Sequence, residues 1–129
     1  MNIDEIICQN FTKISTEYRD FVKSKHECKK CEIFHHYGKV VHSEGNADNP
    51  IFMLVGECPG DDELTYDRPF IGRAGQRLRA ELRKYPNVFT RENTIISNTI
   101  ACRPLNNQFP SGKNGRKLVS SCVSFWLLK

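Results

Sequence analysis

Residues 51–76 read IFMLVGECPGDDELTYDRPFIGRAGQ and hold, in succession, a strand, a turn, an acidic loop and the start of a helix. The run Ile51-Phe52-Met53-Leu54-Val55 predicts a strand buried on both faces. Gly56 follows at once and lets the backbone turn tightly or approach a ligand closely. Glu57, Asp61, Asp62 and Glu63 then place four carboxylates at the carboxyl end of that strand, where open α/β sheets bind ligands. Arg68-Pro69-Phe70-Ile71-Gly72-Arg73-Ala74-Gly75 presents an aromatic ring between a proline and a glycine, just ahead of a helix. A Gly-x-x-Gly at a helix start suits an anionic partner, because free N–H groups point outward there. The same layout is ordinary in α/β domains, so spacing alone does not name a reaction.

Upstream of this stretch, Ile3, Ile7, Ile14, Tyr18 and Phe21 recur at helical spacing, with Phe11 alongside, and predict one amphipathic helix over 3–24. Next comes His26-Glu27-Cys28-Lys29-Lys30-Cys31. A Cys-x-x-Cys fits a zinc knuckle, a redox pair or half of an iron–sulfur site. His35, His36 and His42 leave a mixed Cys/His zinc site open. Residues 38–50 are polar and turn-rich and read as a loop.

Downstream, Leu78, Leu82 and Tyr85 predict a helix ending near Pro86. Its Arg73, Arg77, Arg79, Arg83 and Lys84 make either a phosphate-facing surface or a solvated face. Thr94 to Ala101, TIISNTIA, predicts a second strand with Asn98 near its end. Cys102 to Pro110 is rich in proline and asparagine and reads as a loop, extended by the basic residues 112–117. A last helix is expected from Leu118, carrying Cys122 and Trp126 and ending in the apolar Phe125, Trp126, Leu127 and Leu128.

A chain of 129 residues is expected to form a single domain over 1–129, and 39% hydrophobic residues suffice for its core. Nineteen basic against fifteen acidic residues give a charge of +4, which permits a nucleic-acid partner without demanding one. No apolar run approaches the roughly 18 residues that cross a bilayer, so no membrane partner is expected. The N-terminus MNIDEIICQN is acidic where a signal peptide is basic, which predicts a cytoplasmic protein. Six cysteines in such a protein point to metal ligands or free thiols rather than disulfides.

The sequence GECPG, then Glu63, then RPFIGRAG resembles the first motif of the uracil-DNA glycosylase superfamily. It is closest to the family 4 pattern G-E-[AG]-P-G-x-x-E followed by G-R-P-F-[VI]-G-x-A-G, and the spacing from Glu63 to Phe70 fits without a gap. Cys58 stands where Ala or Gly is usual, and Asp67 where Gly precedes RPF. Family 4 also carries Cys-x-x-Cys ahead of this motif, a Cys in a C-R-P-P-x-N-R-x-P segment, and one more Cys at a helix start. Cys28 and Cys31, Cys102-Arg103-Pro104 with Asn107, and Cys122 match these positions. Leu105 replaces the second Pro and Gln108 the Arg, and the stretch from Cys102 to Cys122 is longer than usual by the size of a loop insertion.

The resemblance implies a three-layer α/β/α sandwich around a mainly parallel sheet. It implies four thiolate ligands, Cys28, Cys31, Cys102 and Cys122, on a [4Fe–4S] cluster, with zinc as the competing metal; Cys8 and Cys58 match no ligand position. It further implies uracil-containing DNA as partner, with the uridine flipped into a pocket. There Phe70 stacks on uracil, Asn98 reads its edge, N–H groups around Cys58 hold an oxygen, and Glu63 lies along C5. Glu57 is assigned to water positioning and to the developing sugar cation. The family's late H-P-[SA] histidine motif has no match here, and the pattern is covered only in its first part. The fold is therefore expected to be incomplete at its C-terminus, with a second chain as one possible source of the remainder. Residues 1–129 alone are expected to be inactive or weak. The rival expectation is a non-catalytic iron–sulfur or zinc module that binds nucleic acid or a replication partner.

Overall fold

The computed structural model describes residues 1–127 and builds them around a mixed four-stranded sheet. In chain order the elements are α1 (Ile3–Asn10), β1 (Phe11–Ile14), α2 (Thr16–His26), α3 (Glu32–Tyr37), β2 (Glu44–Ala47) and β3 (Phe52–Gly56). They continue with α4 (Asp61–Tyr66), α5 (Arg73–Leu82), β4 (Thr94–Asn98), a short 3-10 turn (Leu105–Asn107) and α6 (Gly112–Trp126). The strand order is β1-β2-β4-β3. The outer pairs β1/β2 and β3/β4 run parallel, and the central pair β2/β4 is antiparallel. This is the α/β class expected, with an open sheet in which two of three ladders are parallel.

The single helix expected over 3–24 is instead two helices with a strand between them. Phe11-Thr12-Lys13-Ile14 pairs with β2, and Ser15 then caps α2 by accepting from the Tyr18 N–H at 3.2 Å. The apolar spacing still converges on one core, because Ile7, Phe11 and Val22 pack with Ala47 and Ile95, flanked by Ile3, Ile14 and Tyr18.

The expected loop 38–50 contains the strand β2. Its residues are polar, yet Glu44, Gly45, Asn46 and Ala47 are all buried at the centre of the sheet. Gly45 has φ +116°, and a Cβ there would strike the Thr94 carbonyl oxygen of the neighbouring strand. Buried polar groups require partners. Glu44 accepts from Arg68 and from Arg79, each at 2.6 Å, Ser43 Oγ donates to Ser97 Oγ at 2.8 Å, and Asn46 Nδ2 donates to the Glu92 carbonyl at 2.6 Å.

β3 is also corrected. It lies at the sheet edge rather than between two layers, so Met53 and Val55 are about half exposed and Ile51 more so. α6 begins at Gly112, six residues before the expected Leu118, so Lys113, Arg116 and Lys117 are helical. Its apolar end is not bare throughout. Trp126 is buried against Val40, Ile100 and Cys102, with Leu127 packed beside it. Leu128 lies outside the described residues. No helix among the described residues is long and apolar enough to cross a membrane.

Candidate active site and cysteine cavity

β3 and β4 run parallel with Gly56 opposite Asn98, so both strands end at one crevice. Thr99 N–H and Oγ1 both donate to the Gly56 carbonyl, at 2.8 and 2.9 Å, and fix the two strand ends together. At this point lies a cavity of about 360 Å³. Its walls include Glu57, Cys58, Glu63, Phe70 and Asn98, together with Asn107. The structure thus brings the four residues assigned to substrate binding and Glu57, assigned to catalysis, to one place.

Phe70 owes its position to three features. Its backbone is left-handed, φ +56°, which is uncommon for an aromatic residue. Its ring lies over Gly56, where a Cβ would collide with Cζ of the ring and come within 2.8 Å of Asn98 Oδ1. Arg79 Nε donates to the Phe70 carbonyl at 2.8 Å and Nη2 to the Pro69 carbonyl at 2.8 Å, while Glu44 anchors the same guanidinium. Burial alone would raise the Glu44 carboxyl, but Arg68 and Arg79 outweigh it and hold Glu44 below its ordinary range. Sequence reading missed this support, because Glu44 sits in a stretch that looks like a loop.

Glu63 is buried and fully engaged. Oε1 accepts from the Gly60 N–H at 2.8 Å, and Oε2 from the N–H groups of Ile71 at 2.8 Å and Gly72 at 2.5 Å. One carboxylate therefore ties the start of α4 to the start of α5, bracketing the loop that carries Phe70. The signal was legible as Gly-x-x-Glu at a helix start. Asp67, where the family pattern has Gly, adopts the left-handed conformation itself, φ +57°. It is buried and paired with Lys39 at 2.9 Å. A lysine on a distant segment thus accompanies the departure from glycine.

Glu57 is exposed on the rim of the cavity. Cys58 is half-buried, and burial, reinforced by the charges of Glu57 and Glu63 against the opposing Arg103, pushes its thiol up to about 11. Asn107 reaches the same wall through its neighbour, accepting from Arg103 Nε at 2.8 Å.

A second cavity, of about 60 Å³, opens on the other side of residues 98–102. Cys28, Cys31, Cys102 and Cys122 line it, among Ile33, Phe34, Val40, Ile100 and Trp126. The bridge Val40–Cys102 and the packing of α6 bring these distant cysteines together. Burial pushes the Cys102 thiol up to about 12, and the neighbouring Cys122, Cys31 and Cys28 push in the same direction. Among the described residues, no group of three His, Cys, Asp or Glu side chains is placed to hold a metal ion.

The histidines do not join this cavity. His35 and His36 are exposed on α3, and His42 is buried with its Nε2 3.0 Å from His26 Nδ1. Burial, with His26 and Lys25 nearby, lowers His42 to about 3 and keeps it neutral. Lys25 is lowered by burial to about 7, with Cys122 and Cys28 pulling it upward.

A family model for the uracil DNA glycosylase superfamily matches residues 42–129, and the chain belongs to that superfamily. Within it, the chain is similar to the type-4 uracil-DNA glycosylase of Thermotoga maritima, 41% identical over 85 residues, which are 66% of this chain and 43% of that protein. The type-4 enzymes of Pyrobaculum aerophilum and Archaeoglobus fulgidus are each 35% identical over 98 residues, 76% of this chain and 46% and 48% of theirs. The chain therefore spans less than half the length of these curated relatives. The family match includes Glu57, Cys58, Glu63, Phe70, Asn98, Cys102 and Cys122, and begins after Cys28 and Cys31.

Proposed function

We propose that the chain supplies the base-recognition part of a uracil-DNA glycosylase, the DNA-repair activity that hydrolyses the N-glycosidic bond of deoxyuridine, and is inactive or weak by itself. The observation that carries this reading is the single cavity at the ends of β3 and β4, lined by Glu57, Cys58, Glu63, Phe70 and Asn98. A flipped uracil would stack on Phe70. The Asn98 amide can both donate and accept, so it can tell uracil from cytosine at C4, which a carboxylate cannot do. Glu57 on the rim would face the sugar, where positive charge develops as the bond breaks, and would position water. Glu63 would present its wall to C5 while its oxygens stay bound to the backbone.

Cys28, Cys31, Cys102 and Cys122 would hold a [4Fe–4S] cluster. Their convergence on one cavity supports a shared metal group, and four soft thiolates suit iron. When bound, the cluster would tie the Cys28–Cys31 turn to the exit of β4 and to α6, behind the wall that carries Asn98.

The test is uracil release from labelled single-stranded and duplex DNA. It compares residues 1–129 alone with the same residues joined to the C-terminal half of the Thermotoga maritima relative. The joined form is expected to release uracil and the chain alone to release little, because among the described residues of the cavity no histidine stands as the family's late histidine does, to donate to the departing base. Phe70→Ala in the joined form should lose the stacking contribution of about 1–3 kcal/mol, roughly 5- to 150-fold in binding. Asn98→Ala should weaken uracil excision as well. A folded joined form that releases no uracil would sink the proposal.

A further inference from the structure

Among the described residues, the buried charges are paired, with one exception. Glu44 meets two arginines, Asp67 meets Lys39, and Glu63 accepts three N–H groups. Lys25 is 1% exposed, and among the described residues no carboxylate forms an ion pair with it. Its Nζ donates to the Trp126 carbonyl at the end of α6. The ammonium also lies 3.7 Å from the centre of the Phe21 ring and 4.3 Å from that of Trp126. Aromatic faces and a helix carboxyl end both favour a cation, but neither supplies a full negative charge. An enclosed charge without a counter-ion is costly.

The position of Lys25 suggests what the missing anion is. The Cys28 N–H donates to the Lys25 carbonyl at 3.0 Å, so the ammonium and the first cysteine leave the same turn. Cys122 precedes Trp126 by one helical turn, on the helix whose end Lys25 holds. Lys25 thus joins the two arms that carry Cys28 and Cys122 to the cavity. Four thiolates would bring negative charge that a cationic iron–sulfur core offsets only in part into apolar surroundings, where electrostatic interactions are screened far less than in water.

We propose that Lys25 is the buried countercharge of the four-cysteine site, positioning α6 through the Trp126 carbonyl and favouring the more negative, reduced state of whatever iron–sulfur group the thiolates hold. Charge near a cluster is one of the levers that set its potential. This inference rests on the reading of the four cysteines as cluster ligands.

The experiment uses residues 1–129 expressed and purified without oxygen. Iron is counted, folding is checked by circular dichroism, and the midpoint potential is followed by visible absorption during titration with dithionite as electron donor. Lys25→Arg should keep the wild-type midpoint. Lys25→Met, which keeps the apolar stem against Phe21 and Trp126, should be harder to reduce by about tenfold in the equilibrium, 59 mV for one electron. A folded, iron-loaded Lys25→Met with the wild-type midpoint overturns the inference while leaving the cluster reading intact. Wild-type protein without iron overturns the cluster reading itself. If Lys25→Met does not fold, Lys25→Gln takes its place under the same criterion. If neither neutral variant folds but Lys25→Arg does, the charge is required, as proposed. If Lys25→Arg also fails to fold, Lys25 is a packing residue and the inference falls.

Discussion

The segment 98–102 serves two cavities built on opposite physical terms. On one side Asn98 borders an open pocket that mixes polar groups with the Phe70 ring and is held by hydrogen bonds, chiefly those of Glu63 and Arg79. On the other, Ile100, Ala101 and Cys102 border a smaller, largely apolar cavity that four cysteines line. The first is formed before anything binds, because backbone N–H groups and a buried carboxylate satisfy one another. In the second, burial pushes the thiols of Cys102 and Cys122 up, so a group bound there would have to displace their protons and would then add cohesion of its own. A recognition surface of preformed hydrogen bonds is thus backed by a joint that depends on what fills it.

The largest expected effect comes from breaking the joint. Cys102→Ser should abolish iron retention after anaerobic purification, since Cys102 is the buried member of the four. Cys28→Ser, Cys31→Ser and Cys122→Ser should do likewise, while Cys8→Ser and Cys58→Ser should retain wild-type iron. Iron analysis decides it: full iron in Cys102→Ser would detach the sulfur cavity from any cofactor role.

A smaller effect is expected when the hydrogen-bonded wall is broken. Glu63→Gln removes the charge from three hydrogen bonds and turns an amide NH2 toward N–H donors. The loss should be about 2–3 kcal/mol, on the order of 10 °C in Tm for a domain of this size. Glu63→Asp, too short to span both helix starts, should not rescue it. A thermal melt unchanged in Glu63→Gln would show that the Phe70 loop is held by Arg79 alone.

These two walls were not equally legible in the sequence. The base side was visible because its chemistry is local: strand, glycine, Glu63 three residues after Gly60, and Phe70 between Pro69 and the next glycine. Pattern and contact coincide there. The cysteine side was visible as residue types but not as a place, since Cys28 and Cys122 meet only through the packing of α6. The strands misled in opposite directions. β2 reads as a loop because Glu44, Gly45 and Asn46 are polar, yet the sheet centre accepts them through two arginines, the Glu92 carbonyl and the close approach that Gly45 allows. β3 reads as a buried strand because every residue from Ile51 to Val55 is apolar, yet one of its faces is open at the edge of this sheet. Helical periodicity likewise survived in α1 and α2 while hiding β1, because Phe11 and Ile14 serve the same core from a strand. Periodicity reports which residues face a core and says less about the backbone that carries them there.

The smallest effect expected concerns the thiol on the boundary. Cys58 lines the base cavity and also packs against the sulfur side, but matches no ligand position. Its thiol is pushed up to about 11 by burial first, then by Glu57 and Glu63, with Arg103 opposing. The thiolate is the reactive form, so a raised value means slow alkylation at pH 8, where roughly one thiol in a thousand is ionised. The folded protein should react with iodoacetamide first at exposed Cys8. Reaction at Cys58 should rise about tenfold per pH unit until near pH 11. The sign for stability follows from the same shift: the folded thiol keeps its proton longer than the unfolded one, whose ordinary value is 9.0. Its contribution is therefore full below pH 9 and is lost as pH climbs from 9 toward 11. Glu57→Gln removes one of the two carboxylates that raise Cys58, so it should speed alkylation at pH 8 without altering the melt, because Glu57 is exposed. Mass spectrometry of the labelled peptide gives the rate. An unchanged rate in Glu57→Gln would mean that the rim carboxylate does not act on the cavity wall, and Glu57 would then be too remote for the role at the sugar assigned to it.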